Sequence, residues 1–592
     1  MTGALEYYDE NIPCLAACPV HTNAGMYVAA IADGLDELAY LTARLPNPFA
    51  SVCGRVCAAP CEDACRRGAI DRPIAIRALK RFVTEKYGPE NDAANGAQIW
   101  DRVAAAAEND RSTRVAIVGG GPAGLAAAHD LRRHGHQVTI YEATDKLGGA
   151  MWLGIPEYRL DRTVLQRDID AILALGIDVH YETQLGRDIT LNGLREDFDA
   201  VFLGIGATLG RGLDVEGGDA DGVLKAIEFL VNMNRGFHVD VGERVLVIGG
   251  GDVAMDAART ALRADDYDEA AGRDPVSDAI DAARTAARAG ARDITVMSLE
   301  RRDQMPAHEF EVEEAEAEGV TFESGRGPTR ILVENGRVTG VETKGVTRLT
   351  DDEGRFSPQF DETDLRVIPA DTVILAVGQA IDLEVLGPDG PETSPRRTIG
   401  VDDLTGATSL ADVWAGGDAA KGPRSLIDAI ADGRRSAADI HRALGGEADE
   451  APEAGQMVTL QQFHRLDDIY DSYDRIDPPT LDTGRRIGLT EVELGFDELS
   501  ARAEASRCLR CFANIQLDIE KCVLCALCAD VCPVDVISLV PAIEIDETAP
   551  TGATALLLDE SRCIRCALCI ERCPPDALSM GVWTGTGVPA CQ

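Results

Sequence analysis

The sequence predicts a multidomain chain. An α-helical, cysteine-bearing domain comes first, two Rossmann-like α/β dinucleotide-binding domains fill the middle, and a small α+β domain ends it. Three observations predict this order. Sixteen of the 17 cysteines fall into two groups, Cys14 to Cys65 and Cys508 to Cys573, with none between. The pattern strand, glycine turn, helix begins at residue 113 and again at 243. Near the end, the run C-x2-C-x2-C-x3-C-P occurs twice.

Size and composition bound the reading. The 592 residues suffice for roughly three to five domains. With 45% hydrophobic and 27% charged residues the composition is that of an ordinary globular protein. No apolar run reaches about 18 residues, so no membrane span is expected. The start, MTGALEYYDENIPC, lacks a basic segment followed by an apolar one and does not read as a signal peptide. Closely spaced cysteines in such a chain favour metal over disulfides, and a cytoplasmic location follows as an expectation. The net charge of −43 excludes nucleic acid as a partner, because phosphate contacts need Lys and Arg. Seven lysines accompany 50 arginines, which fits either adaptation to high salt or an arginine-favouring genome.

The first 88 residues read as helical with cysteines at the turns, and GLDELAYLTARLP and IAIRALKRFVTEKYG carry helical periodicity. A linker covers 89–112. In RVAIVGGGPAGLAAAHDL a strand enters Gly119, Gly121, Pro122, Ala123 and Gly124 and a helix follows. Those glycines permit the tight turn, the approach of backbone to a pyrophosphate, and close helix–strand packing. Glu142 ends the next strand, placed to accept hydrogen bonds from ribose hydroxyls. The second site, RVLVIGGGDVAMDAARTAL, offers Gly249, Gly250, Gly251, Asp252 and Val253. Its next strand, DITVMSLE, ends at Glu300, 51 residues after Gly249. The excess over the usual spacing of about 20 reads as an acidic, alanine-rich insertion near 264–290. A carboxylate there favours the free 2′-hydroxyl of NAD(H) over NADP(H), which would call for Arg. Arg301 and Arg302 follow directly and could be solvated or contact phosphates. Later, VWAGGDAAKGP brings Gly417 and Asp418 to a strand end before a helix.

Residues 446–500 read as an extended connection. The final segment is an internal repeat: DIEKCVLCALCADVCP recurs as DESRCIRCALCIERCP after 41 residues. Cys522, Cys525, Cys528 and Cys532, then Cys563, Cys566, Cys569 and Cys573, form the bacterial ferredoxin signature, which commits four thiolates per run to [4Fe–4S] clusters. Cys591 reads as a bystander.

Together these segments, with LGGAMWLGIPEYRLD, DAVFLGIGA, MPAHEFEVEEAEAEGV, PCLAACPV, CGRVCAAPCEDAC and EASRCLRC, resemble the glutamate synthase small-subunit family of flavoproteins. The same module forms the N-terminal part of dihydropyrimidine dehydrogenase. The resemblance implies FAD in the first site and a nicotinamide nucleotide in the second, with the second domain inserted in the first. The expected layout is then a helical Fe–S domain with linker (1–112), the FAD domain in two parts (113–235 and 375–446), and an NAD(P) domain (236–374). A segment returning to the Fe–S domain (447–513) and a 2[4Fe–4S] ferredoxin domain (514–592) complete it. Gly119–Gly124, Glu142, Gly149, Arg159 and Asp418 map onto family flavin contacts, and Gly250, Gly251, Asp252 and Val253 onto nucleotide contacts. NADPH-using members carry basic residues where this chain has Leu299 and Glu300. The resemblance also implies two clusters in the helical domain. Cys508, Cys511, Cys14 and Cys65 would hold one, and Cys18, Cys57 and Cys61 three irons of the other. Relatives can take a non-cysteine fourth ligand from a later helix, near Lys80 here, but a protonated Lys has no lone pair to give. Cys53 is therefore chosen, its plain alternative being a small buried apolar residue.

An FAD- and NAD(H)-binding chain with four [4Fe–4S] clusters converts two-electron into one-electron transfer. No acid or base is demanded, so no catalytic side chain is nominated, and His308, which follows MPA, reads as a surface histidine in preference to a nucleotide-loop contact. The chain is expected to be an NAD(H):ferredoxin-type oxidoreductase and the flavin subunit of a larger complex. A 2-oxoacid:ferredoxin oxidoreductase, ring reductase, hydrogenase or formate dehydrogenase, or a ferredoxin, would be the partner. The alternatives are a glutamate synthase small subunit, against which the extra ferredoxin domain and Glu300 argue, and a non-catalytic electron-distribution subunit, against which the intact glycine turns argue.

Overall fold

The computed structural model describes residues 10–91, 111–237, 239–264, 293–447, 457–460 and 473–583. All but one residue of the insertion at 264–290, most of the linker 89–112, and Cys591 lie outside the described residues. The chain divides into two compact units: Met1–Ala104 with Gly446–Pro479 and Gly495–Gln592, and Ala105–Gly445 with Thr480–Leu494.

The second unit carries two five-stranded sheets of the same design. In the first, the strands run in the order Val413–Ala415, Ala200–Leu203, Arg114–Val118, Gln137–Tyr141 and Asp178–His180, all parallel. In the second the order is Val223–Lys225, Thr372–Leu375, Arg244–Ile248, Asp293–Ser298 and Thr321–Ser324, again parallel. The central strands, VAIV and VLVI, are apolar on both faces, as strands covered by helices on both sides must be. Each glycine turn leaves a central strand where the order switches direction, the place where such sheets bind ligands. An antiparallel extension, Arg326–Glu334, Arg337–Thr350 and Phe356–Pro369, adjoins the second sheet.

The helix Pro122–Arg133 starts with Pro at its first turn, where the missing N–H costs nothing. It packs on Leu426–Ala443 so closely that a Cβ at Gly433 would collide with the Ala123 carbonyl. Beside this helix pair His136 is fully buried. Its Nδ1 bonds Thr113 Oγ1 at 2.6 Å and its Nε2 bonds His441 Nδ1 at 2.8 Å, while His134 stacks on His441 with centroids 4.0 Å apart. Burial, then the charge of His441, depresses His136 to about 4. An unfolded chain protonates this ring near 6.5, so the stabilisation is complete above that pH and is lost as pH falls toward 4. Thermal melts between pH 7 and pH 4 should show a loss of about 2–3 kcal/mol from this ring. His136→Gln should flatten the slope; an unchanged slope would rule this origin out.

In the first unit, the helices Ala24–Ala32, Asp36–Arg44, Ile76–Tyr87 and Glu498–Ser506 share one core built on Tyr27, Ile31, Tyr40, Leu79, Val83 and Ala501. The last helix is held there by charge as well. Arg502 pairs with Asp36, Arg507 with Asp71 at 2.9 Å, and Glu504 accepts the N–H groups of Ala75 and Ile476 at 2.9 and 2.8 Å. The chain then pairs Ala513–Leu517 with Leu578–Trp583, and Ile537–Pro541 with Thr554–Leu558, both antiparallel.

Candidate functional site

At the first glycine turn each residue type has a steric reason. Gly119 takes φ +98°, and a Cβ there or at Gly124 would strike the carbonyls of Gly204 and Gly119. Gly149 (φ +52°) folds over the turn, so that a Cβ on it would lie 2.9 Å from Gly121 Cα. The Gly120 N–H donates to Glu142 Oε2 at 2.8 Å, and Thr144 N–H and Oγ1 both donate to Oε1 at 2.9 Å. Glu142 is thus fixed beside the turn. Ala123, buried in the first helical turn, is met by Gly417 (φ +64°), whose N–H donates to Asp432 Oδ2 at 3.2 Å. Asp418 follows, accepting the Arg424 N–H at 3.1 Å, and burial pushes its carboxyl up to about 6.

The second turn repeats this geometry. A Cβ at Gly249 would strike the Ala376 carbonyl, and one at Gly251 would meet nothing within 4 Å. A Cβ at Gly250 would lie 2.9 Å from Glu300 Oε2. Glu300 therefore stands against the second turn as Glu142 stands against the first, and its backbone is pinned by Ser298 Oγ donating to its carbonyl at 2.8 Å. Arg302 is committed to Glu309 and Glu316 on the next helix. Arg301 is exposed. Val253 packs into the apolar core behind the turn. Both oxygens of Asp252 are taken by His308, through its N–H at 2.9 Å and its Nδ1 at 2.8 Å. His308 is two-thirds buried and part of the turn's scaffold, which corrects its reading as a surface residue.

Arg159 is tied to acids of the second sheet's domain. Its guanidinium reaches Asp256 at 2.7 and 2.8 Å and also pairs with Glu311, both on helices of the second sheet's domain. The network continues through Arg259, Glu318, Arg263 and Arg486. Burial pushes Glu311 up to about 7.

In the first unit the cysteines gather in four groups. Cys14, Cys65, Cys508 and Cys511 line one apolar cavity with Val28, Ile74 and Leu509. Cys18, Cys53, Cys57 and Cys61 surround the buried Lys80, whose ammonium also stands 5.9 Å from the Tyr27 ring. Cys53 is fully buried and hydrogen-bonded to Cys57, which this bond and Lys80 bring down to about 6. The repeat makes two more cavities, and it crosses over: Cys563, Cys566 and Cys569 face Cys532, while Cys522, Cys525 and Cys528 face Cys573. The two loops share their strained residues, Leu524 and Ala526 in one, Arg565 and Ala567 in the other, all at positive φ. Four left-handed non-glycine residues cost about 1–2 kcal/mol each, a cost that metal–thiolate bonds offset.

Thiols in apolar cavities fit iron–sulfur clusters. Burial pushes Cys508 and Cys569 up to about 12 and raises Cys14, Cys61 and Cys511 as well, so thiolates form there only against bound metal. Among the described residues no group of three or more Cys, His, Asp or Glu converges on a single ion.

Two nucleotide domains of shared design in one unit, and cysteine cavities in the other, define a flavin- and iron–sulfur-dependent NAD(P)H oxidoreductase. Residues 113–433 match the pyridine nucleotide-disulphide oxidoreductase family, 8–91 the dihydropyrimidine dehydrogenase domain II 4Fe-4S family, and 521–577 the 4Fe-4S dicluster domain. The chain belongs to the pyridine nucleotide-disulphide oxidoreductases. It is 38% identical over 525 residues to the beta subunit of an NADP(+)-dependent formate dehydrogenase of Moorella thermoacetica, covering 84% of this chain and 70% of that one. It is 35% identical over 549 residues to the beta subunit of an NADPH-Fe(3+) oxidoreductase of Geobacter sulfurreducens (84% and 75%). The glutamate synthase (NADPH) small chain of Escherichia coli is 30% identical over 450 residues (72% and 87%). Among the described residues no helix is long and apolar enough to cross a membrane.

Proposed function

We propose that this chain is the flavin subunit of a larger redox complex, binding FAD at the turn Gly119–Gly124, NAD(H) at Gly249–Val253, and four [4Fe–4S] clusters through its sixteen grouped cysteines. The observation that carries the reading is the gathering of sixteen cysteines into four groups of four in one compact unit, the two groups of the repeat crossed. A nicotinamide supplies a hydride, a flavin splits its two electrons, and clusters carry them singly.

The protein's own work is to bind and to space. The helices beginning at Gly121 and Gly251 offer their N-termini to pyrophosphates, and Glu142 and Glu300 accept ribose hydroxyls. Arg159, through Asp256 and Glu311, holds the two nucleotide domains in register, and its mapping to a flavin contact stays part of the reading. The thiol groups follow one another. Tyr27 lies beside Cys61, Cys18 and Cys14; Cys511 lies beside Cys563; Cys569 lies beside Cys528. Cys525, in the last group, is exposed and suits delivery to a partner. Relatives named as subunits of a formate dehydrogenase and an iron(III) reductase support a partner subunit that takes or gives single electrons.

Protein purified without air should contain about sixteen iron atoms per chain, and NADH should bleach its flavin absorbance. About twelve iron atoms would remove the Cys53 site, and a spectrum unmoved by NADH would defeat the enzyme reading.

A further inference from the structure

The two halves of the ferredoxin repeat share a backbone but differ at one strained position. Leu524 (φ +53°) occupies it in the half that lines the outer cavity and is 43% exposed. Arg565 (φ +59°) occupies it in the other half and is 3% exposed. A buried arginine at a left-handed position needs a reason, since an apolar residue serves its twin.

Its surroundings supply one. Arg565 lies beside the Cys563 and Cys511 thiols, which belong to two different cysteine groups. A second buried arginine, Arg66, lines the Cys14, Cys65, Cys508 and Cys511 cavity and reaches across to the carbonyl of Cys563 at 3.1 Å. Each guanidinium is only partly satisfied. Arg66 Nη2 donates to the Asn11 carbonyl at 3.1 Å, and Arg565 Nη2 to Asn514 Oδ1 and Glu560 Oε2, both at 3.2 Å. Arg66 Nε, Arg565 Nε and Arg565 Nη1 are buried with no nitrogen or oxygen partner, and the Arg565 guanidinium is turned toward the Cys563 thiol. Orphaned donors on a charged group cost free energy unless an acceptor arrives. Arg66 lines the first cavity, and Arg565 stands between Ile564 and Cys566, which line the other; the acceptors that belong there are cluster sulfurs. Glu560, one carboxylate against two cations, does not neutralise the pair.

We propose that Arg66 and Arg565 are redox-tuning residues. Their charge and unpartnered N–H groups act on the clusters held by Cys14/Cys65/Cys508/Cys511 and by Cys532/Cys563/Cys566/Cys569, and raise both reduction potentials above that of the outer Cys522/Cys525/Cys528/Cys573 cluster. Net charge and hydrogen bonds to sulfur are the levers that set such potentials, and both stabilise the more negative, reduced state. The repeat carries its own control, since the outer half has Leu where the inner has Arg. Electrons would then rest at the inner pair and leave through the outer cluster when a partner draws them.

The proposal rests on the four-cluster reading, and the test separates the two. Full-length protein is purified anaerobically, its iron measured, and its clusters titrated potentiometrically with EPR detection, for the unmodified chain, Arg565→Leu and Arg66→Gln. Arg565→Leu copies the residue its twin position tolerates. Expected is a downward shift of the two inner midpoint potentials in both variants at unchanged iron, with the outer cluster unmoved. Inner potentials that stay put at full iron would overturn the tuning role, as would loss of iron from both variants, which would make the arginines structural. If one variant alone loses iron, the other decides by its potentials. Iron short of four clusters in the unmodified chain would instead fault the cluster reading.

Discussion

Glu300→Arg should shift the chain from NADH toward NADPH. The unmodified enzyme should use NADH with the higher kcat/KM, because Glu300 stands against Gly250 as Glu142 stands beside Gly120. A carboxylate so placed accepts two ribose hydroxyls and repels a 2′-phosphate. Hydrogen bonds to a charged group contribute about 1.5–3 kcal/mol, so losing them should cut kcat/KM for NADH by roughly tenfold to a hundredfold. The new guanidinium, with the exposed Arg301 beside it, should raise kcat/KM for NADPH. Arg302 cannot help, being held by Glu309 and Glu316. All three relatives above are named for NADP(+) or NADPH, which makes the comparison sharp. Equal use of both nucleotides by the unmodified chain would defeat the role given to Glu300.

Gly124→Val should yield protein without flavin. A Cβ at position 124 collides with the Gly119 carbonyl and comes within 3.1 Å of Ile117 Cγ2. Backbone cannot yield as a side-chain tip does, so the helix Pro122–Arg133 must leave the central strand. Overpacking of this kind costs about 1–3 kcal/mol even where side chains give way. The helix N-terminus would leave the pyrophosphate position with it. Flavin released by acid and measured by absorbance should fall several-fold, while iron in the other unit stays near the unmodified value. Full flavin occupancy would mean that this turn is not where FAD binds.

How far the sequence reached differs by residue, for physical reasons. Glycine turns are legible because backbone sterics at Gly119, Gly124 and Gly249 admit no other residue. Glu300 could be found across a 51-residue gap because a strand pattern, rather than a fixed interval, led to it. The ferredoxin runs were equally plain, yet spacing within a run does not say that Cys532 joins Cys563 and Cys573 joins Cys522. That crossing belongs to the pairing of two half-domains. The surface reading of His308 fails because a lone His after a Pro-Ala step carries no local sign of Asp252, 56 residues away. The arginines 66 and 565 were equally opaque. Their roles depend on carboxylates and thiols brought from distant segments, and fifty arginines give no hint of which are buried.

The central claim is that electrons from a nicotinamide pass through the flavin into the cysteine-held clusters of the same chain. The direct measurement is EPR of the anaerobic protein frozen after mixing with NADH, with flavin absorbance followed in parallel. The account expects flavin bleaching accompanied by reduced-cluster signals that grow with the ratio of NADH to NAD(+). Bleaching with no cluster signal at any ratio, in protein whose clusters dithionite reduces, would contradict it.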